Sequence, residues 1–217
     1  MVPELLDRIL SKASREIPKG LSVGLYNWSE PFLHDQIGDL VGVVKKYRMR
    51  SILSSNLSLK MQNKLIATFD NGLDNLIISV SGFTQETYGK YHIGGNIELV
   101  KKNLRQAAEL ERPDGTHRTA VHYIEFDYNQ AEKEVFKSFC DKLNVNFISK
   151  KNTYTNLHRD TGDVSVHFDK PNHYGNHSCP LLTDMVSIDQ RGDVYICCGT
   201  WYYPAYRIGA FLDIRFA

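Results

Sequence analysis

The sequence lacks a charge excess, an apolar run of membrane length and any dense set of cysteines. Lys and Arg number 26 against 25 Asp and Glu, a formal net charge of +1. That balance leaves no electrostatic footprint for nucleic acid or an anionic membrane. No stretch approaches the ~18 apolar residues of a membrane span. The opening residues MVPELLDRIL lack the basic and apolar regions of a signal peptide. A soluble, cytoplasmic protein without nucleic-acid or membrane partners is expected. Four cysteines in 217 residues are too few for a secreted disulfide scaffold. No G-x-G-x-x-G follows the first expected strand, which argues against a dinucleotide-binding doubly wound sheet. What is present is ample core material, with 42% hydrophobic residues.

The chain is organised around Leu21 to Ile37, LSVGLYNWSEPFLHDQI. Ser22-Val23-Gly24-Leu25-Tyr26 reads as a short buried strand. Asn27-Trp28-Ser29-Glu30-Pro31 breaks it, because Pro31 removes a donor and restricts Glu30. A helical pattern follows in Ile37, Leu40, Val41 and Val44. A carboxylate just past a buried strand sits where α/β folds place their ligands. The alternative is that Glu30 caps the next helix and Trp28 fills a hole.

Before this stretch, Pro3 to Ile17 shows an apolar helical face of Leu5, Leu6, Ile9 and Leu10. After it, strands are expected at Ser51–Ser54, Asn75–Val80, Thr119–Phe126 and Asn144–Ser149. Helices are expected at about Asp35–Tyr47, Lys60–Phe69, Thr84–Tyr91, Glu98–Leu110 and Gln130–Lys142. Asn71-Gly72 is a helix-stop signal. Five strands alternating with helices argue a parallel sheet with helices outside. The strand ends carry Asn27 and Glu30, Ser54 to Asn56, Ser79 and Ser81, then Tyr128 and Asn129. All should converge on one rim.

Beyond Lys150 the alternation stops and polar, aromatic and glycine residues rise. Residues 1–150 form the expected barrel-like unit, 151–175 a linker or extension, and 176–217 a small cysteine-containing unit. Met185–Asp189 and Val194–Cys197 read as a hairpin turned at Gln190-Arg191-Gly192-Asp193. Cys179, Cys197 and Cys198 lie in this segment. Neighbouring thiolates in a reducing compartment bind zinc or iron–sulfur clusters. Adjacent strand residues point to opposite faces, however, so Cys197 and Cys198 share one site only across a bulge. Buried thiols of purely structural role are the alternative. Cys140, in a helix, reads as core.

Taken together, the chain resembles the radical SAM superfamily, in its branch with a C-terminal SPASM or twitch domain. Asn27 to His34 looks like that family's G-x-G-E-P-L-L-H loop, and Ser54-Ser55-Asn56 like its S-T-N-G strand end. Ile77 to Gly82 with Thr84-Gln85-Glu86-Thr87-Tyr88 looks like S-x-D-G…T-x-E-x-Y. Gly94-Gly95-Asn96 leading to Asn103-Leu104 is similar to G-G-N-F…N-I. The spacing C-x12-G-x4-C from Cys179 fits the opening of the SPASM pattern.

The resemblance implies an α/β fold, a partial (β/α)6 TIM-barrel-like sheet. It implies S-adenosylmethionine held by a [4Fe–4S] cluster, reductive cleavage, and hydrogen abstraction by the resulting radical. The cofactors carry the chemistry while the protein orients them. It also implies a peptide, sugar or small alcohol substrate and an electron-donor protein. Glu30 would face the methionyl ammonium. Ser54 and Asn56 would lie near the carboxylate or ribose, Ser79 and Ser81 near the ribose or substrate, and Asn27 on the same rim. Cys179, Cys197 and Cys198 would be metal ligands.

The family's C-x3-C-x2-C cluster motif is absent, and no cysteines follow Cys198. Met1-Val2-Pro3 looks like the connection after a cluster loop, so the expectation is a truncated form lacking its first strand and inactive alone. Two rivals remain. One is a non-catalytic zinc module built from His173, His177, Cys179 and Cys197 or Cys198. The other is a degenerate barrel serving as scaffold for a cysteine-complete partner.

Overall fold

In the computed structural model, residues 1–17, 20–61, 63–111, 116–151, 184–200 and 204–215 are described. Helices α1 (Pro3–Glu16), α2 (Ile37–Lys46), α3 (Lys64–Asp70), α4 (Gln85–Gly89), α5 (Ile97–Glu109) and α6 (Gln130–Lys142) accompany strands β1 (Ser22–Gly24), β2 (Arg50–Ser55), β3 (Asn75–Val80), β4 (Thr119–Glu125) and β5 (Asn146–Lys151). The five strands form one parallel sheet in the order β1-β2-β3-β4-β5. This is the parallel sheet with helices packed against it that the alternation anticipates.

Strand alternation divides the sheet into two unlike faces. Leu53, Leu76, Ile78, Val80 and Val121 are fully buried in the core with residues of the helices. Ile52, Ser54, Ile77, Ser79 and His122 occupy the other, inner face and are half-buried, and Ile148 there is 43% exposed. The helical face also holds an aromatic cluster. Phe136 of α6 meets Tyr123 of β4 at 6.0 Å and Phe83 edge-on at 5.9 Å, arrangements that aromatic quadrupoles favour.

Local chemistry explains the ends. Pro3 occupies the first turn of α1, where its missing N–H costs nothing. Gly72, at φ +88°, ends α3 in the left-handed region. Glu132 of α6 accepts hydrogen bonds from the Phe83 and Thr84 amides and from the Thr84 and Thr87 hydroxyls, at 2.5 to 3.1 Å. Burial raises its pKa, but these donors outweigh that and hold it below the usual carboxylate value. A second sheet is antiparallel and small: β6 (Ser187–Ile188), β7 (Asp193–Tyr195) and β8 (Arg207–Ala210). Its turn passes Gly192, buried against Leu5 and Ile9 of α1.

Among the described residues no helix is long and apolar enough to cross a membrane.

Candidate functional site

All five parallel strands end on the same rim, and Glu30 is its hub. Pro31 starts a single 3-10 turn, Pro31–Leu33, which Glu30 caps. Its Oε1 accepts from the Phe32 amide at 3.2 Å and from Ser55 Oγ at 2.7 Å. Oε2 accepts from the Asn56 amide at 3.2 Å. The carboxylate thus caps its own turn and also clamps the loop after β1 to the end of β2. Ser55, rather than Ser54, is its partner. Ser55 is buried on the helical side, whereas Ser54 faces the inner side, one residue out of phase.

A relay runs on from Ser55. Its Oγ accepts from the Leu57 amide at 2.9 Å, and Asn56 Oδ1 accepts from the Ser58 amide at 2.9 Å. Ser58 Oγ accepts from the Asn96 amide at 2.6 Å, and Asn96 Oδ1 caps α5 through the amides of Glu98 and Leu99. From α5, buried Asn103 donates to the Leu57 and Leu59 carbonyls, each at 2.8 Å. Leu57 itself sits at φ +53°, a left-handed conformation costing a leucine about 1–2 kcal/mol. Its side chain is wholly buried. The loop is over-determined by its hydrogen bonds, which is how such strain persists at sites.

The remaining residues singled out from the sequence are placed as follows. Asn27 is exposed at φ +112°. Ser54 and Ser79 lie on the inner face and make no side-chain hydrogen bond among the described residues. Ser81 is wholly buried, with Oγ 2.8 Å from His92 Nδ1, and its carbonyl accepts from Asn129 Nδ2. His92 stacks on Tyr88 at 4.5 Å. Burial pushes the Tyr88 hydroxyl up to about 12, with the nearby Ser58 hydroxyl opposing and the Glu30 charge adding to it. Ser81 therefore braces the interior behind the rim rather than lining it.

Trp28 links the two sheets. Its Nε1 donates to the Cys198 carbonyl at 2.5 Å, and its ring meets Tyr195 edge-on at 5.8 Å. Cys197 Sγ accepts from the Gly199 amide at 3.2 Å, and the Thr200 hydroxyl donates to the Cys197 carbonyl. Cys179, His173 and His177 lie outside the described residues. Cys140 is buried in α6, where burial and then Asp141 push its thiol up to about 12, so it is inert as a nucleophile. Among the described residues no three His, Cys, Asp or Glu side chains gather to hold a metal.

Two inner-face residues escaped the sequence reading. His122 stands beside Ser79 in the β3–β4 register, and Lys150 lies on the neighbouring strand. Burial and the Lys150 charge both push the His122 pKa down. The signal was available in the alternation of β4 and β5, but polar residues inside strands carry no motif.

A fixed carboxylate at the carboxyl rim of a parallel sheet suits the ammonium of an amino-acid-like ligand. In charge, the Glu30 carboxylate fits the ammonium of S-adenosylmethionine. The residues of this chain do not fit a [4Fe–4S] cluster of the usual kind. Cysteines stand only at 140, 179, 197 and 198, and no three of these have the C-x3-C-x2-C spacing.

No family profile matches the chain. A probable GTP 3',8-cyclase of Methanococcus maripaludis is 25% identical over 114 residues, covering 52% of this chain and 37% of that protein. A second strain's protein of the same name is 22% identical over 137 residues, covering 63% and 45%. The chain thus spans less than half the length of these relatives. Among solved structures, Streptococcus suis SuiB superposes with a TM-score of 0.68 at 13% identity, over 100% of this chain and 60% of SuiB. BtrN in complex with AdoMet and 2-DOIA superposes with a TM-score of 0.55 at 15% identity, covering 97% and 65%. The parallel sheet, the small antiparallel sheet and these relatives agree: the chain is related to the radical SAM superfamily and has the fold of its partial barrels.

Proposed function

We propose that this chain is the S-adenosylmethionine-binding part of a cytoplasmic radical SAM/SPASM-type iron–sulfur protein. Its reaction is hydrogen abstraction from a peptide, sugar or small alcohol, with electrons from a donor protein. The observation that carries the reading is the Glu30 clamp, a carboxylate held by Phe32, Ser55 and Asn56 at the carboxyl rim of the sheet. Support comes from the fold shared with SuiB, which is solved with S-adenosylmethionine and with its precursor peptide SuiA. In this reading Glu30 faces the ligand ammonium, Asn56 and Ser54 the carboxylate or ribose, and Ser79 the ribose or substrate. Asn27 edges the same mouth, and Ser81 holds His92 behind it. Cys197 and Cys198, with Cys179, mark the auxiliary metal site. Of the two, Cys197 is the better ligand, because the Gly199 amide already points at its sulfur.

In this reading the thiolates that would hold the reducing cluster are not among the residues of this sequence. Binding and catalysis therefore separate. Equilibrium dialysis of the chain with radiolabelled S-adenosylmethionine is expected to show saturable binding. Glu30→Ala should weaken it at least tenfold, while circular dichroism stays unchanged. Binding of equal strength in wild type and Glu30→Ala would remove Glu30 from the site.

A further inference from the structure

The inner face has a charge character that the proposed chemistry does not explain. The five strands contain one carboxylate, Glu125. It points to the helical side, where it accepts from Lys133 of α6 at 3.1 Å and from Ser149. The inner face instead presents Arg50, His122 and Lys150. Arg50 lies at the amino end of β2, tied to Asn75 Oδ1 at 2.6 Å. His122 and Lys150 lie further up, toward the rim. In register, Ser79 stands opposite His122, His122 opposite Ile148, and Ile124 opposite Lys150. Neighbouring strands are about 4.8 Å apart. Ser79 and His122 are therefore direct neighbours across β3 and β4, and Lys150 is the diagonal neighbour of His122, one strand over and two residues nearer the rim on the same face.

We propose that His122 and Lys150 are specificity-determining residues that bind an oxyanion, phosphate or carboxylate, on the substrate. The inference rests on the radical SAM reading and deepens it by naming a substrate class. Two cationic groups placed together without a carboxylate disfavour each other's charge. Burial first and the Lys150 charge second lower the His122 pKa, so part of the shift reflects that conflict. A bound anion resolves it by pairing with both. Among the described residues His122 makes no hydrogen bond. Ser79, equally unengaged, supplies a third polar contact. The apolar remainder of the face, Ile52, Ile77 and Ile148, gives a low-dielectric floor on which such pairing is stronger than in water.

The test is an NMR titration of the whole chain at 0.15 M salt, following the His122 imidazole signal assigned with His122→Gln. Pyrophosphate and succinate are the anionic probes and glucose the neutral control. Saturable shifts are expected with at least one anion and none with glucose. Pyrophosphate and succinate separate a phosphate-bearing from a carboxylate-bearing substrate. Lys150→Gln, at an exposed position, should weaken Kd at least fivefold, whereas Lys151→Gln on the opposite side should leave it unchanged. Equal weakening by both variants, or an anion response no greater than that to glucose, overturns the proposal. S-adenosylmethionine added separately reads the Ser55 and Asn56 amides. Shifts there without an anion response overturn this inference alone. The converse overturns the rim reading and leaves the anion surface standing.

Discussion

The parallel sheet and the small antiparallel sheet are held by different means. In the first, the three central strands β2, β3 and β4 carry side chains buried without solvent contact, whereas the edge strands β1 and β5 carry none, and the strand ends are tied by buried amides such as Asn103 and Asn129. In the second, Val194, Ser187 and Phe211 are buried, while Ile196 and Ile208 remain exposed. Among the described residues its links to the larger unit include Trp28, Gly192 against Leu5 and Ile9, and Val194 and Phe211 in the shared core cluster. The larger unit is self-sufficient in apolar burial; the smaller one borrows its core from α1 and the Trp28 loop. A two- to three-residue strand cannot hold a sheet by itself. A site spanning both units would therefore depend on how firmly the smaller is anchored.

Three substitutions sharpen that contrast, in falling order of effect. Asn129→Ala removes donors to the Ser81 and Ile124 carbonyls and the acceptor of the Phe126 amide, all at a wholly buried position. Stranding such groups costs about 3 kcal/mol in total. Urea unfolding should show the parallel unit losing that much stability. Trp28→Phe keeps a ring but deletes the bond to Cys198, worth about 1 kcal/mol. Hydrogen exchange should speed up at Val194 and Tyr195 while β2 to β4 stay protected. If β2 to β4 open equally, the two sheets form one cooperative unit and the contrast fails. Tyr88→Phe should move the melting temperature by less than about 2 °C. The Tyr88 hydroxyl is buried and its pKa lies near 12, so it is neutral at assay pH, and Ser58 does not reach hydrogen-bonding geometry with it. A large loss would show that the hydroxyl is bonded after all.

The fold was legible because periodicity does not depend on context. Apolar residues two apart in Leu76, Ile78 and Val80 and the helical faces of α1, α2 and α5 set the five strands and their helices. The strand β8 was not legible: Arg207–Ala210 has no alternation, and its pairing with β7 is set by tertiary contact. The candidate site was legible in part. Glu30 stood out because Pro31 and the preceding strand fix its position. Of its two readings, the structure shows the cap, and the ligand carboxylate is the proposal. Ser55 was passed over for Ser54 because a one-residue phase at a strand end flips the face. His122 and Lys150 were invisible as a pair because they come together only through the register of β4 and β5. The close approach at Gly82 had a sequence signal, a glycine at a strand end. An added Cβ there would meet the Tyr88 amide nitrogen at 2.5 Å, so α4 packs where only glycine fits.

The central claim is that the carboxyl rim around Glu30 is where the chain holds S-adenosylmethionine. Backbone amide NMR of the isotopically labelled chain, titrated with that ligand, tests it most directly. Saturable shifts centred on Phe32, Ser55, Asn56 and Ser79, and lost in Glu30→Ala, are the predicted result. Shifts centred instead on the open groove of about 680 Å3 between α1 and α2, lined by Glu4, Asp7, Asp39 and Lys46, or no shifts at millimolar ligand, would contradict it.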